Sequence, residues 1–543
     1  MISNHIPKSL KSFGLLAVIT LFVISFSFTH PFLYAQSKSE PQSQPQSQSQ
    51  PQSQPQSQPQ SQSDESGFED SGGFDDSGGF DSGIDIKPDS AGVSAEIKEP
   101  SPFSLSGFFR SNWAAWTRRF DQGNPWAKGR QSLDLTAGYQ KNHFRLVLEG
   151  HLEYDLAYLY QRENYDSQQI KQYQFRFLNG NQYAAYRLGG LDLSSGRQII
   201  AWGEGDALSA LDVISPRDQR EPGVSDIDDL RLGVWMSRAR YSQGQHDFDL
   251  IVKHEGYYGE FVPPFADYSP FKALLTSNPL LQNPQIQANL NQADVRFRHD
   301  QTGLSQNTQN LFARWSYRGK GLDLGFYAAY LRDIQGVVTL NTSDFLGLIV
   351  GQRKNLDITL SHRPYYLIGQ SGAIPLQQFL FKWEVAAYLD KSVNEGSADQ
   401  FNQPVMGANA SPLTISKVSS VNVVLGLTYS GFKDTVVGLE FQKGQTVSGT
   451  TRLLVPVEMP ILALRASRNF LREILKVNFV VSTFGWQAER GGLGRFDLSY
   501  SLSDAWKWQV GYVYYIQGDE FGPFYGLGQH DRVFTQLRWD FSL

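Results

Sequence analysis

The chain has 543 residues, with 48 Lys and Arg against 54 Asp and Glu, for a formal net charge of -6 at pH 7. That balance is too mild to argue for nucleic acid or an acidic partner, and the absence of cysteine excludes disulfides, thiolate metal sites and a lipid-bearing cysteine anchor. Aromatic residues make up 13% of the chain while the mean hydropathy is only -0.37, which is how a sequence reads when only alternate residues meet an apolar medium.

Lys8 and Lys11 precede an apolar run from Phe13 to Phe28 and then Leu33-Tyr34-Ala35. This layout predicts a secretory signal peptide over residues 1–35, since the run falls short of the ~20 residues that a membrane-spanning helix needs. Residues 36–102 read as a disordered periplasmic linker. Ser37 to Ser63 repeat Pro, Gln and Ser, and from Asp64 to Gly83 lone phenylalanines (Phe68, Phe74, Phe80) stand among acids and glycines. The acidic repeat is expected to be a flexible spacer, with a docking tail for a periplasmic partner or a calcium-binding repeat as alternatives.

From residue 103 to 543 apolar and polar residues alternate. Leu133, Leu135, Ala137 and Tyr139 interleave with Ser132, Asp134, Thr136 and Gly138, and Trp506, Trp508, Val510, Tyr512 and Tyr514 recur near the end. Period two over about ten residues means strands with one oily and one wet face. Eighteen such segments can be read, from Ser104–Trp116 through Leu191–Trp202, Arg231–Ser242 and Lys354–Arg363 to Asp531–Ser542. Their connections alternate between tight turns (Lys141-Asn142, Gly319-Lys320, Gly431-Phe432) and long loops (Ala157 to Asn181, Gly203 to Asp229, Tyr257 to Gln309). Pro364 to Pro375 fits poorly as a turn, which leaves sixteen as an alternative count. The expected fold is all-β: a transmembrane antiparallel up-and-down β-barrel, its tight turns in the periplasm and its long loops outside the Gram-negative cell. In hydrocarbon only a closed sheet satisfies every backbone group, and about 16 to 18 strands leave an aqueous lumen.

Arg145, Glu149, His151, Glu153, Asp249, Lys253, Arg314, Arg318, Lys382, Glu384, Lys507 and Arg538 fall on the polar positions and are expected in the lumen. The final alternation, Val533, Thr535, Leu537, Trp539 and Phe541, resembles the C-terminal signal by which the outer-membrane assembly machinery recognises its clients. Gly196-Arg197-Gln198, Trp202-Gly203 and Pro216-Arg217-Asp218 resemble a family of Gram-negative outer-membrane barrels of unassigned function, and Gly-Arg-Gln strands of this kind are similar to those of alginate-export and phosphate-selective porins.

The resemblance to porins implies that the third external loop, Gly203 to Asp229, folds into the lumen as a constriction. Glu204, Asp206, Asp212 and Asp218, with Asp226, Asp228 and Asp229, would then face Arg197, Arg217, Arg220 and Arg231 in a transverse field that sorts solutes by charge. The alternative is a loop that lies outside as a lid or pairs its own charges. In the longest loop, Leu274, Leu275, Leu280 and Leu281 suggest either a packed helix over the mouth or a contact surface.

Catalytic constellations are missing. His151-Glu153-Asp155 is the nearest approach to a cluster, and its ligands spread too far along one strand for a single ion. No phosphate loop or nucleotide fingerprint occurs, so the reading includes no enzyme and no cofactor. The expected function is passive, partly selective diffusion of small hydrophilic solutes. The alternative is transport of a hydrophobic or polymeric substrate with a periplasmic partner held by the acidic tail, and an adhesin or a lipolytic barrel ranks below both. The expected partners are outer-membrane lipid, the assembly machinery, small solutes and two further copies in a homotrimer, with no nucleic acid.

Overall fold

The computed structural model describes residues 101–119, 125–165, 167–221, 230–269, 283–395, 414–450, 453, 456–519 and 522–543. The signal and linker segments, the acids at 226, 228 and 229, and the leucines at 274, 275, 280 and 281 lie outside the described residues.

Eighteen strands form one antiparallel sheet: β1 Phe103–Trp116, β2 Trp126–Lys141, β3 Phe144–Asp155, β4 Phe175–Leu188, β5 Leu191–Gln198 and β6 Val234–Gln243. Then follow β7 His246–Lys253, β8 Asn310–Gly319, β9 Leu322–Arg332, β10 Pro364–Leu376, β11 Phe379–Glu395 and β12 Thr414–Phe432. The last six are β13 Thr435–Ser448, β14 Ile461–Phe470, β15 Leu475–Phe484, β16 Gly492–Ser501, β17 Trp506–Ile516 and β18 Arg532–Ser542. Each strand pairs with its neighbour in sequence, and β18 returns to β1 in register from Ser106↔Ser542 to Trp116↔Arg532. The sheet therefore closes on itself and leaves no free edge. At the tight-turn end, Asn142 and Asp434 sit at φ 54° and 55°, the left-handed geometry that matches a two-residue hairpin to strand twist.

One face of each strand is oily. Phe109, Leu135, Leu250, Phe326, Ile368, Leu439 and Phe496 all point outward and are exposed. Aromatic pairs stand where this band ends: Phe103 on Tyr139, Phe379 on Tyr429 and Trp506 on Trp539 beside the tight turns, and Phe441 on Trp486 near the opposite rim. Apolar side chains left open on a continuous cylinder, flanked by aromatic girdles, suit hydrocarbon rather than water. Among the described residues no helix is long and apolar enough to cross a membrane.

The count of eighteen agrees with the sequence, but one strand is misplaced in that reading. The expected strand Lys354–Arg363 is not in the barrel: Asn355–Ser361 runs parallel to Asp294–His299 and antiparallel to Val337–Leu340 in a separate three-stranded sheet. The wall strand is the supposed turn, Pro364–Leu376. Its alternation is erased because Tyr365 and Leu367 on the lumen face are buried against loop side chains instead of water. Helices Pro284–Asn291 and Thr342–Ile349 cover this outer sheet around Leu290, Val295, Leu348 and Ile358.

The main core lies inside the cylinder. Trp202, Leu208, Leu211 and Ile214 pack with Met236, Ile251, Phe312, Tyr327 and Leu367 from the wall, and the same cluster continues through Trp116, Tyr268, Phe484, Phe524 and Phe534. Long loops thus fold inward at the rim opposite the tight turns, and the inner wall is apolar where they touch it.

Candidate functional site

Strand β5 stops at Gln198, four residues short of the sequence expectation, and the chain turns into the lumen. Trp202 is buried edge-on to Phe312 at a centroid distance of 5.8 Å. The segment then crosses to the opposite wall, where two glutamates hold its backbone. Glu384 on β11 accepts N–H groups from Glu204 (2.7 Å), Gly205 (2.9 Å), Ala210 (2.7 Å) and Leu211 (3.2 Å), together with the Ser209 hydroxyl (2.9 Å). Glu440 on β13 accepts those of Asp206 (2.6 Å), Ala207 (2.8 Å) and Leu208 (2.6 Å). A carboxylate satisfies several amide donors at once, and charge-assisted bonds of this kind are about twice as strong as neutral ones. Gly203 is required here, since a Cβ at its φ of +101° would overlap the Glu384 carboxylate.

Side chains complete this latch. Asp206 is buried between Lys382 (2.8 Å) and Arg465 of β14 (2.7 Å), and the Tyr388 hydroxyl donates to the Ala210 carbonyl (2.6 Å). Gly369 on β10 leaves room for Leu211, whose methyl occupies the space a Cβ would need.

The returning limb is held on the near wall. Asp212 bonds Arg217 and Arg231 (3.0 Å for the latter). Burial alone would raise its carboxyl, but the two guanidiniums overcome this and hold it below the ordinary value. Arg220 grips Asp218 and reaches Glu153 on β3 (3.1 Å), while its main-chain carbonyl accepts from Tyr173 (2.9 Å). Asp218 is likewise held down by Arg220 against the upward push of burial. Glu221 binds Lys128 and Arg130 of β2, with Arg130 at 2.6 Å. Charges buried this deeply gain little net stability over apolar packing, but removing one partner strands the other. The network therefore fixes where the loop sits.

The structure brings Asp206, Asp212, Arg217, Asp218, Arg220 and Arg231 to the crossing segment, and Glu204 joins it through its backbone. These charges are matched in mutual or wall-directed pairs, so the transverse field expected from the loop itself is not what the geometry provides. Arg197 is a second correction. It pairs in register with Trp235, whose ring is exposed on the outer face, and it binds Glu255 (2.6 Å) and the Gly233 carbonyl (3.0 Å). Alternation puts Gly196 and Gln198, not Arg197, on the lumen side. Glu149 anchors Asn181 through its backbone and side-chain nitrogens (2.8 and 3.0 Å), and Arg145 is exposed near the tight-turn end of β3. Arg314 is buried beside Asp249 (3.6 Å) with its guanidinium over Trp202 at 5.9 Å.

Glu440, Arg465, Lys128, Arg130 and Glu221 were not singled out by sequence reasoning. The first four occupy polar positions of alternating strands, which marks them as lumen residues but does not name their partners. His151 contacts Asp134 (3.3 Å) and Glu153 (3.4 Å) within the wall, and no metal-holding group of three or more His, Cys, Asp and Glu occurs among the described residues.

Below the loop the two sides of the lumen differ. On β6 to β8 charges alternate and pair: Arg238 with Asp249 (2.8 Å), Arg240 with Asp247 (3.6 Å) and Arg318 with Asp247 (3.8 Å). On β15 to β18 and β1, register places Lys476, Arg495, Lys507, Arg538 and Arg110 on the lumen face. Two carboxylates answer these cations in the same strands. Asp497 takes Arg495 (2.7 Å), and Asp540 takes Arg538 (2.7 Å) and Lys507 (3.5 Å).

Residues 39–254 match a family described as a protein of unknown function, DUF1302. No curated protein matches the chain. Solved structures similar to it include OccAB3 of Acinetobacter baumannii, at 9% identity and a TM-score of 0.43, covering 81% of this chain and 99% of that one. OccK8 (OprE) of Pseudomonas aeruginosa is similar at 9% identity and a TM-score of 0.45, over 83% and 99%. OccK2 (OpdF) of the same species, solved in complex with glucuronate, is similar at 11% identity and a TM-score of 0.41, over 82% and 98%.

Proposed function

We propose that the protein is an outer-membrane channel for passive diffusion of small hydrophilic solutes, with a preference for anions. The observation that carries this reading is the loop latched across a closed cylinder whose outer face is oily and whose inner face is charged. A wall of that kind is stable only with lipid outside and water within. The crossing segment limits the size of what passes. Selectivity is assigned to the cationic side chains that this part of the wall carries, Lys476, Arg495, Lys507, Arg538 and Arg110, because a concentration of one sign of charge along a low-dielectric channel raises the local concentration of counter-charged solute. The Gly-Arg-Gln resemblance to alginate-export and phosphate-selective porins points the same way. In this reading the tight turns and the N-terminal linker face the periplasm, the last strand is the assembly signal, and three copies associate in the membrane.

Planar-bilayer recording with a salt gradient tests the proposal. A steady conductance whose reversal potential reports anion preference is expected. A silent barrel, or one that prefers cations, would refute it. The apolar inner face of β9 and β10, with Tyr327, Ala329, Leu331, Tyr365 and Leu367, favours a second reading, movement of a hydrophobic substrate, and uptake of a labelled fatty acid by liposomes carrying the non-conducting protein would establish that instead.

A further inference from the structure

Outside the constriction, the loop after β7 and the edge of the three-stranded sheet enclose a cleft of about 280 Å³. Tyr257, Phe261 and Phe297 line it with half-buried rings, and Gln172, Glu260 and His299 line it with polar groups. It abuts the constriction loop, since Asp218 and Glu260 lie side by side in a short bridge and the Gln219 N–H donates to the Glu260 carbonyl (2.7 Å). Its volume lies just below the ~300–1,000 Å³ typical of small-molecule sites, which suits one ring and excludes a chain of them.

The hydrogen-bond capacity of the cleft can be derived. The His362 Nδ1 is 2.7 Å from the Asp333 carbonyl, which only accepts, so this nitrogen carries the proton. Burial lowers His362 to about 4, so the ring is neutral and its Nε2 is an acceptor. The His299 Nδ1 lies 2.9 Å from that Nε2 and must therefore donate. His299 is also pushed down by burial, so its Nε2 is left as an acceptor on a side chain that lines the cleft. Tyr258 stacks on His362 with centroids 3.3 Å apart, which holds the relay in place. Glu260 is paired with Arg176 (2.5 Å) and Tyr257 (2.9 Å), so the cleft offers no lone charge to an ion.

We infer that this external cleft binds a single polyhydroxylated ring, a sugar-sized polyol, before it reaches the constriction. Flat aromatic faces pack against ring C–H groups. Acceptors at His299 and Glu260 take the hydroxyl protons that an apolar ring of the same size lacks, and leaving such groups unpaired is what discriminates between the two.

Ligand-observed NMR on the full chain in detergent micelles tests the inference without requiring a conducting pore. D-glucose and D-galactose serve as probes, with cyclohexanol and benzoate as controls. Saturable hexose binding with Kd of about 1 mM is expected, weakened about tenfold by His299→Phe, which keeps a ring but removes the acceptor, and by Phe261→Ala. Both variants should retain the gel mobility of an unheated folded barrel, and either one alone suffices if the other fails to fold. Absence of saturable hexose binding, equal binding of cyclohexanol, or hexose binding unchanged in the folded variants would overturn it.

Discussion

Removing the Glu384 carboxylate should release the loop while the barrel stays intact. In Glu384→Ala, four backbone N–H groups and the Ser209 hydroxyl lose their acceptor at a fully buried position. A hydrogen bond to a charged group contributes about 1.5–3 kcal/mol. The five donors share one acceptor and do not add independently, so a loss of about 4 kcal/mol in docking is a reasonable scale, near the upper end for single substitutions. That lowers the docked-to-undocked ratio by about a thousandfold. The double variant Glu384→Ala/Glu440→Ala also strips the acceptor from Asp206, Ala207 and Leu208. Single-channel recordings should then pass from steady current in the wild type to brief upward steps in the single variant and to sustained larger conductance in the double. Unheated electrophoretic mobility should be unchanged in both, because the strand ladders are untouched. A folded double variant with wild-type conductance and noise would refute the claim that this loop sets the aperture.

Asp212 and Asp218 have carboxyls held below their ordinary values in the fold. The stability they contribute is complete above the unfolded value near pH 4 and is lost as pH falls through the lower folded values, so the part of the channel noise that comes from this limb should rise as pH falls below about 4. Asp212→Asn should be noisy already at pH 7, because Arg217 and Arg231 lose their partner. Arg538→Glu combined with Lys507→Glu should cut the anion-to-cation permeability ratio by about tenfold, read from reversal potentials. Trp202→Ala opens a cavity in the lumen core, at a cost of about 3–5 kcal/mol, and residues 203–221 should become cleavable by added protease while the strands remain resistant.

The cylinder was legible because its strands obey a period of two and its connections alternate in length. It became illegible where the environment changed. Tyr365, Leu367 and Gly369 face loop side chains instead of water, so β10 lacks the wet face that identifies a barrel strand. Asn355–Ser361 has the right composition but pairs in another sheet. At the crossing segment, residue types announced a charged loop and alternation placed Lys382 and Glu384 in the lumen. Which wall residue meets which loop atom depends on the curvature of eighteen strands. Glu440 reads in sequence as any polar residue between Leu439 and Phe441, and nothing local reveals that it caps three amides more than 200 positions away. Arg197 differs for a simpler reason: its parity in the strand, shared with the outward-facing Trp235, sets it on the outer face despite the motif that surrounds it.

The anchors of the crossing segment also bear on how such a molecule can be made. Asp206 waits for Arg465, 259 residues downstream, and the seam that finishes the wall joins Ser106–Trp116 to the last strand of all. The stopper can therefore be latched only once the later hairpins that carry its anchors have joined the wall. Any shortening of the chain that removes the closing strand would leave the stopper in an unsealed sheet, which links completion of the wall and latching of the crossing segment in one event.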